Sequence, residues 1–342
     1  MAELGTRSAS LQRFGEHAGH IYAVAWNSTG SLVASGGADK QVKIYSFAEA
    51  TSTPGGNTIP THRLGQVGSI GAHKGTVECI AWDPSDPAKV CSVSTGLVHI
   101  ADVTKLKKKT GSLSHKVTTG LYCCAYAPAG GGLAVSGRET QTDDSVMVFV
   151  VEPRRLTPVM KKPKRFPNRQ INTIKWAPDG AHILVASTGV VDVLSAADLS
   201  VVHSFRAHGS NIYAIDFSPD GSALALGSAD SLVSVWSADD LSCLGSLSSD
   251  PTTVRSVSWD AGGRYLAWAC ERNKVDIGEA GQQRGFFCVD TDATVNAVAW
   301  HPTQHILAAA CDRAAQTHTL SFGGMNGAGN GGIASVHLFS FR

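Results

Sequence analysis

The side chains best suited to catalysis in this sequence are 13 histidines and two pairs of adjacent acidic residues, Asp143–Asp144 and Asp239–Asp240. A general acid and a general base must face each other across a substrate. These pairs are neighbours in turn-like segments, where acidic side chains are commonly solvated. The sequence also lacks the Gly-x-Ser-x-Gly, His-Glu-x-x-His and Gly-x-x-x-x-Gly-Lys patterns. It therefore predicts no catalytic residue, and we expect most histidines to have structural roles.

The eight cysteines predict no metal site. No two of them have the Cys-x-x-Cys spacing of zinc ligands, and most lie in apolar runs such as VECIAW and YLAWAC. There a cysteine acts as a small buried hydrophobic residue in a reducing compartment. The stretch GAGNGG at 327–332 formally fits Gly-x-Gly-x-x-Gly, but it follows no clear strand and opens no helix, so we interpret it as a flexible insertion. We expect no metal, no cofactor and no small-molecule substrate.

The apolar segments are too short for a membrane protein. No apolar run approaches 18 residues, and the N-terminal stretch MAELGTRSAS has no apolar core of the kind found in secretory signals. The expected compartment is therefore the cytosol or the nucleus, without a membrane contact.

Basic residues are concentrated in one part of the chain. Between Lys105 and Arg169 there are 13 basic and 4 acidic residues, a net charge of +9, so the remainder of a chain with a total of +1 carries −8. The densest positions are Lys107, Lys108, Lys109, Lys161, Lys162, Lys164 and Arg165. Three interpretations stay open: a solvated outer-strand surface, a patch that follows RNA phosphates, and KKPKR as a nuclear import signal. Phe166 is the only aromatic residue in the second cluster, so an RNA contact would be weak in salt and tolerant of sequence.

A repeat organises the chain. Each copy has an apolar first strand that ends in an aromatic residue, then a turn, then further strands. The aromatic residues are Trp26, Trp82, Tyr126, Trp176, Phe217, Trp259 and Trp300. The intervals between them are 56, 44, 50, 41, 42 and 41 residues. A four-stranded unit of about 40–45 residues is the period of a β-propeller blade, and the longer intervals indicate inserted loops.

Seven copies predict an all-β fold, a single seven-bladed β-propeller over residues 1–342. A lone blade would leave its apolar faces in water, whereas blades stacked in a ring bury them against each other. The last copy supplies only three strands, and residues 8–17 form a spare segment before the first copy. We expect this N-terminal segment to be the outer strand of the last blade, which leaves no open ring edge. The expected blades are residues 17–60, 70–113, 115–166, 170–206, 207–249, 252–290 and 293–342.

The best copy, AHGSNIYAIDFSPDGSALALGSADSLVSVW at 207–236, resembles the WD-repeat family. That resemblance implies that His208, Asp230 and Trp236 occupy buried hydrogen-bonding positions, with the histidine reaching across to the aspartate of a turn. It assigns the same structural roles to His20, Asp39, His73 and Asp312 in other copies. In the first copy, Tyr45 stands at the place of the tryptophan.

The second half of the chain resembles a narrower family, that of the third subunit of the THO complex. The resemblance is carried by GSADSLVSVWSADDLSCL, TVRSVSWDAGGRYLAWACE, KVDIGEA and VNAVAWHPTQHILAAACDR, within 227–313. It implies a non-enzymatic nuclear scaffold that binds the large helical THO subunits and couples transcription to mRNP assembly and mRNA export in the TREX machinery. Two alternatives are a WD-repeat adaptor of a chromatin or ubiquitin-ligase complex, and a propeller enzyme or small-ligand binder that uses the central channel. The sequence shows no ring of acids or histidines that would favour the second.

Overall fold

A computed structural model describes residues 10–49, 62–71, 73–106, 112–116, 120–138, 143–152, 155–158, 164–248, 251–281, 287–312 and 334–341. These residues form antiparallel β-strands and one short 3-10 turn, Val103–Lys105. No helix among them is long and apolar enough to cross a membrane.

The strands fall into six sheets. The first contains β2 (Ile21–Trp26), β3 (Leu32–Gly37), β4 (Val42–Glu49) and β5 (His62–Ile70). The second contains β6 (Val77–Trp82), β7 (Lys89–Ser94), β8 (Leu97–Asp102) and β9 (Ser112–Lys116). The third contains β10 (Gly120–Tyr126), β11 (Gly132–Arg138), β12 (Asp144–Glu152) and β13 (Arg155–Pro158), with β14 (Lys164–Phe166) also paired to β12.

The fourth sheet has seven strands: β15 (Thr173–Trp176), β16 (His182–Ala186), β17 (Thr188–Ser195), β18 (Val201–Phe217), β19 (Ala223–Ser228), β20 (Val233–Ser237) and β21 (Cys243–Leu247). The fifth contains β22 (Val254–Trp259), β23 (Tyr265–Cys270), β24 (Lys274–Glu279) and β25 (Phe287–Asp290). The sixth joins the two ends of the chain, in the order β1 (Ser10–His17), β28 (Ala334–Ser340), β27 (Ile306–Cys311) and β26 (Val295–Trp300).

The inner strands form a closed circuit. In the order β2, β6, β10, β15, β18, β22 and β26, each strand contacts the next, and β26 contacts β2. The fold is therefore an all-β propeller around a central channel. Strand β18 takes part in two units, because its first half pairs with β17 and its second half with β19. Since β15–β21 form one continuous sheet through β18, the count of seven blades and their boundaries stay predictions.

The N-terminal strand closes the propeller, which confirms the expectation from the sequence. Strand β1 pairs antiparallel with β28 from Ser10 opposite Ser340 to His17 opposite Ala334. The sheet that contains the last inner strand, β26, thus takes its outer strand from the other end of the chain. This pairing covers the edge of β28 that would otherwise be exposed.

The core lies between neighbouring sheets. Trp26 and Val33 of the first sheet pack with Ala308 and Val336 of the sixth in one buried cluster. Similar clusters join the other neighbouring sheets, for example Trp259 and Trp268 with Val233 of the preceding unit. Because each apolar sheet face is buried by the next sheet, the whole ring must assemble before any one sheet is fully buried.

Three tryptophan indoles form the same kind of hydrogen bond between neighbouring inner strands. The indole nitrogens of Trp26, Trp82 and Trp176 donate to the carbonyl oxygens of Ala299, Ala25 and Ala125 at 3.0–3.1 Å. Each of these alanines directly precedes the aromatic residue of the preceding inner strand. Where the residue directly before that aromatic residue is polar, a different hydrogen bond joins the two inner strands.

In those cases a side chain accepts from the next strand's backbone instead. The backbone N–H of Trp259 donates to Asp216 Oδ2 at 2.9 Å, and that of Trp300 donates to Ser258 Oγ at 3.0 Å. The indole nitrogens of Trp259 and Trp300 are buried and have no hydrogen-bond partner among the described residues.

This difference generates a prediction. We expect Trp176→Phe to lower the free energy of unfolding by about 1–2 kcal/mol more than Trp259→Phe, because only the first change removes an indole hydrogen bond. Both changes remove similar apolar area, so Trp259→Phe is the matched control. Urea unfolding followed by circular dichroism measures the difference, and equal losses would contradict the role assigned to the indole bond.

Closure by β1 generates a second prediction. Deletion of residues 1–16 removes the outer strand of the sixth sheet and exposes the edge of β28, so we expect the melting temperature to fall by roughly 10 °C or more. Deletion of residues 1–9, which ends before β1, is the control and should leave the melting temperature unchanged. Calorimetry on both forms would reject the closure role if the longer deletion melted like the intact chain.

Candidate functional site: the polar contacts and the mouth of the central channel

The best repeat contains a chain of four hydrogen-bonded side chains. The buried His208 bonds Asp230 through Nδ1 at 3.0 Å and Ser234 Oγ through Nε2 at 2.7 Å. Trp236 Nε1 donates to the same Ser234 Oγ at 2.7 Å. Partial burial opposes ionisation of Asp230, but the charge and hydrogen bond of His208 and the Gly209 backbone N–H hold its pKa below the usual value. This chain ties the turn before β20 to the middle of β18.

The first repeat corrects one expectation. The histidine that bonds Asp39 is His17, at 2.9 Å, and its Nε2 bonds Ser35 Oγ at 2.8 Å. His20 is exposed and pairs instead with Asp312 Oδ1 at 2.9 Å. The contacting histidine stands four residues before the first buried apolar residue, Ile21, as His208 stands before Ile212. That spacing is visible in the sequence, and it distinguishes His17 from His20.

The second repeat keeps the histidine and replaces the acid. His73 is buried, four residues before Val77, and it bonds Ser94 Oγ at 2.7 Å and Ser92 Oγ at 2.8 Å. Burial, with a smaller contribution from the neighbouring His99 ring, lowers the pKa of His73 to about 4. His73 is therefore neutral at physiological pH, and both of its ring nitrogens form hydrogen bonds with serine hydroxyl groups.

Asp312 stabilises the junction between the last and first inner strands. Its Oδ1 accepts from Asn296 Nδ2 at 2.6 Å, and the same Nδ2 donates to the Ile21 carbonyl at 2.9 Å. With the His20 pair, Asp312 thus contacts both sides of the junction. Its position just after β27 places these contacts at one mouth of the channel.

Seven side chains surround this mouth: six belong to inner strands, and Asn172 directly precedes the inner strand β15. They stand four residues before the aromatic residue of each copy and line a cavity of about 430 Å³. We call them the mouth ring: Tyr22, Glu78, Tyr122, Asn172, Tyr213, Arg255 and Asn296. The sequence did not single out these residues, although their constant distance from the repeat aromatic was visible.

Backbone irregularities direct most of the ring. Six inner strands pair with the next strand of their sheet, and in each the register shifts at the residue of the mouth ring. In β2, for example, the shift falls between Ile21 and Ala23, on either side of Tyr22. A β-bulge at such a point leaves one residue outside the ladder and re-aims its side chain. The same local device therefore presents Tyr22, Glu78, Tyr122, Tyr213, Arg255 and Asn296 at the mouth.

The ring is electrostatically uneven. The guanidinium of Arg255 lies 4.5 Å from the Tyr213 ring centroid and bonds Glu271 Oε1, with Nε at 2.9 Å. Glu78 lies in another part of the circuit, between Tyr22 and Tyr122, and partial burial raises its pKa. Tyr22 is 40% exposed. Aromatic rings, a carboxylate and a guanidinium around one concave opening are suited to non-covalent recognition of a polar polypeptide.

An ion pair joins two inner strands inside the channel. Lys175 Nζ lies 2.8 Å from Asp216 Oδ1, in a cavity of about 660 Å³ enclosed by the inner strands. The charge of Asp216 raises the pKa of Lys175 against the opposing effect of burial. Because this lysine is held protonated and Asp216 also accepts from Trp259, the pair serves to join inner strands.

Cysteines from neighbouring inner strands also meet in the channel wall. Cys79 Sγ and Cys123 Sγ are 3.8 Å apart, and all eight cysteines are free thiols. Among the described residues, no group of three histidine, cysteine or acidic side chains is arranged to hold a metal ion.

Only part of the basic cluster lies within the described residues. Lys164 and Arg165 are on β14, opposite Val146 and Ser145 of β12, and Arg165 is exposed. Lys107, Lys108, Lys109, Lys161 and Lys162 lie outside the described residues. The two acidic pairs proposed as solvated turn residues are divided: Asp239 and Asp240 are exposed, whereas Asp144 is buried and accepts from the Ile171 backbone N–H at 2.7 Å.

The buried neutral histidines generate a pH prediction. In the unfolded chain His73 takes up a proton near pH 6.5, but in the fold its pKa is about 4. The unfolded state therefore binds more protons between these values. The contribution of His73 to stability is fully present above pH 6.5 and declines as the pH falls toward 4, by up to about 3 kcal/mol. His17, His99 and His337, whose pKa values burial also lowers, add to the same slope.

We expect His73→Gln to flatten this slope, since glutamine keeps hydrogen-bonding groups but does not titrate. Urea unfolding at intervals from pH 8 to pH 4.5 measures it. His203→Gln, a change at an exposed histidine, is the control and should retain the full slope. A His73→Gln protein with the same pH dependence as the unaltered chain would contradict the assignment.

Comparison with known proteins agrees with this architecture. Residues 8–46, 199–237 and 282–316 match the family described as WD domain, G-beta repeat. The beta-propeller domain of Cps50 (Swd1) from Myceliophteria thermophila superimposes with a TM-score of 0.73, at 16% identity, over 97% of this chain and 99% of that domain. This likeness shows the propeller fold.

Two relatives align over most of the chain. WD repeat-containing protein AAC3 from Dictyostelium discoideum is 26% identical over 305 residues, which are 84% of this chain and 60% of that protein. THO complex subunit 3 from Arabidopsis thaliana is 30% identical over 303 residues, which are 87% of this chain and 89% of that protein. By this extent and identity, the chain belongs to the WD-repeat family, in the group that includes THO complex subunit 3.

Proposed function

We propose that this protein is a non-enzymatic scaffold subunit of a nuclear THO complex, where it couples transcription to mRNP assembly and mRNA export within TREX. The observation that carries the proposal is the alignment with THO complex subunit 3 over nearly the full length of both chains. The partners are the other THO subunits, above all the large helical one.

The mouth ring supports a docking role. Its side chains converge on a concave opening, and tyrosine and arginine are the residue types that most often carry binding energy in protein interfaces. Arg255 and Lys175, the basic residues that line the channel among those described, are each paired with a neighbouring carboxylate and so are poorly placed to bind phosphates. We therefore assign the ring to the recognition of a partner polypeptide.

A weak RNA contact through the basic cluster is part of the proposal. Lys107, Lys108, Lys109, Lys161, Lys162, Lys164 and Arg165 would contact phosphates without reading bases. The high net charge of residues 105–169 supports such a contact, because clustered basic residues gain affinity by releasing counterions. The same cluster can serve nuclear import. The alternative function is that of a WD-repeat adaptor in another nuclear or cytosolic complex, for chromatin or ubiquitin transfer.

The test is recovery of partners from nuclear extract. We expect a tagged full-length chain to recover the other THO subunits in near-equal amounts by quantitative mass spectrometry, both before and after nuclease treatment. Nuclease should release only proteins that are held through RNA. Recovery of a different stable complex without THO subunits would overturn the THO assignment and favour the adaptor.

A variant with two substitutions in the mouth ring tests its role in the same experiment. Tyr22→Ala with Glu78→Ala should reduce recovery of THO subunits at least tenfold, as expected when central interface side chains are truncated. Val67→Ala on β5, an exposed apolar residue away from the mouth, is the control. If both variants recover the complex fully, the docking surface lies elsewhere on the propeller.

A further inference from the structure

A second concave surface lies on the face of the propeller opposite the mouth ring. From the mouth ring each inner strand continues to the aromatic residue of its copy, so the turns that follow these aromatic residues lie at the other end. Two such turns, Ala177–Asp179 after β15 and Ser218–Gly221 after β18, border a cavity of about 550 Å³. The cavity lies between the β15–β18 and β18–β21 units. We call it the acidic groove.

The floor of the acidic groove is apolar. It is made by Leu184, Val193 and Leu224, which are buried, and by Phe217 and Leu241, which are half-buried. Val202 lines its edge and is 53% exposed, and the adjacent Val201 is 45% exposed. Large aliphatic side chains are thus left in contact with water at this edge. The groove offers one or two apolar side chains of a ligand a favourable place to bind.

The rim of the groove carries three carboxylates: Asp179, Asp220 and Asp239. Asp179 bonds the His182 ring at 2.6 Å, and Asp220 accepts from the hydroxyls of Ser218 and Ser222. The exposed Asp239 has no hydrogen-bonded partner among the described residues. Among the residues that the structure describes, no lysine or arginine is paired with any of these three carboxylates. The rim therefore keeps a net negative charge.

We propose that the acidic groove binds a short basic segment of a partner protein, in which one large apolar side chain is flanked by lysines or arginines. The apolar residue inserts against the accessible parts of Phe217 and Leu241 beside Val202, and the flanking cations face Asp179, Asp220 and Asp239. The site is separate from the mouth ring and does not depend on the proposed THO assignment.

Charge and shape select this occupant. The carboxylates repel nucleic-acid phosphates and anionic lipid headgroups, so a polyanion does not fit the rim. A purely basic segment would leave the floor hydrated, and a purely apolar one would leave the rim charges unmatched. Both features together specify the sequence type.

The probe is a fluorescein-labelled peptide, acetyl-Lys-Arg-Leu-Lys-Arg-amide, titrated with the full chain at low salt and read by anisotropy. We expect saturable binding that weakens as salt is added. Replacing the leucine of the peptide by serine should weaken binding about tenfold, as expected for one lost apolar side chain. A peptide with glutamate in place of its lysines and arginines should not bind.

Matched variants locate the binding. Asp239→Asn should weaken peptide binding about threefold, and Asp239→Lys should weaken it at least tenfold. Asp290 is an exposed acid on β25, and Asp290→Asn should leave peptide binding unchanged. Val202→Ser should weaken it about threefold, while Val67→Ser on β5, which is similarly exposed, should not. Because all four positions are exposed, none of these changes is expected to unfold the chain, and melting curves verify this.

Several results would overturn the proposal. They are absence of binding at low salt, equal effects of the groove and control variants, and indifference to the peptide's leucine. Dimerisation of the chain without peptide, measured by sedimentation and abolished by Asp239→Lys, would assign the groove to a second copy. If the unaltered chain recovers THO subunits but does not bind the peptide, the groove proposal is wrong and the proposed function stands. If it binds the peptide but does not recover THO subunits, the proposed function is wrong and the groove proposal stands.

Discussion

The structure depends on closure of the ring. Each sheet buries its apolar faces against its two neighbours, so the first and last sheets have no complete core until they meet. Two sets of contacts make them meet: the pairing of β1 with β28, and the hydrogen bonds of Asn296 with Ile21 and Asp312. Because both ends of the chain enter one sheet, separating them exposes a sheet edge and two apolar faces at once.

Closure also explains how polar groups are distributed. Inner strands are buried on both sides, so their polar atoms need partners from the next strand around the circuit. Tryptophan indoles donate to alanine carbonyls where the preceding position is small, and Asp216 or Ser258 accepts a backbone N–H where it is polar. The buried histidines follow the same requirement with hydroxyl or carboxylate partners. These contacts join each inner strand to the next, and the side chains that we assign to partner recognition lie at the mouth and on the rims of the turns.

The two faces of the propeller have different recognition chemistry. At the mouth, bulged residues of the inner strands present tyrosines with a carboxylate and a paired guanidinium. On the opposite face, turns between two units place carboxylates around an apolar floor. A scaffold needs such separate surfaces, since partners that bind opposite faces do not compete. The propeller produces them because every inner strand runs from one face to the other.

The sequence by itself determined the repeat period, the inner strands and the closing strand, because these depend on local patterns of apolar residues and turns. It also located the His208, Asp230 and Trp236 contacts by resemblance, but it placed His20 where the structure uses His17. The mouth ring and the acidic groove were decided only by the tertiary structure. Tyr22 and Arg255 are 233 positions apart in the chain, and only ring closure and the bulges bring them to one opening. Likewise, Asp179, Asp220 and Asp239 lie in three ordinary turns, and only the packing of adjacent units places them around one groove.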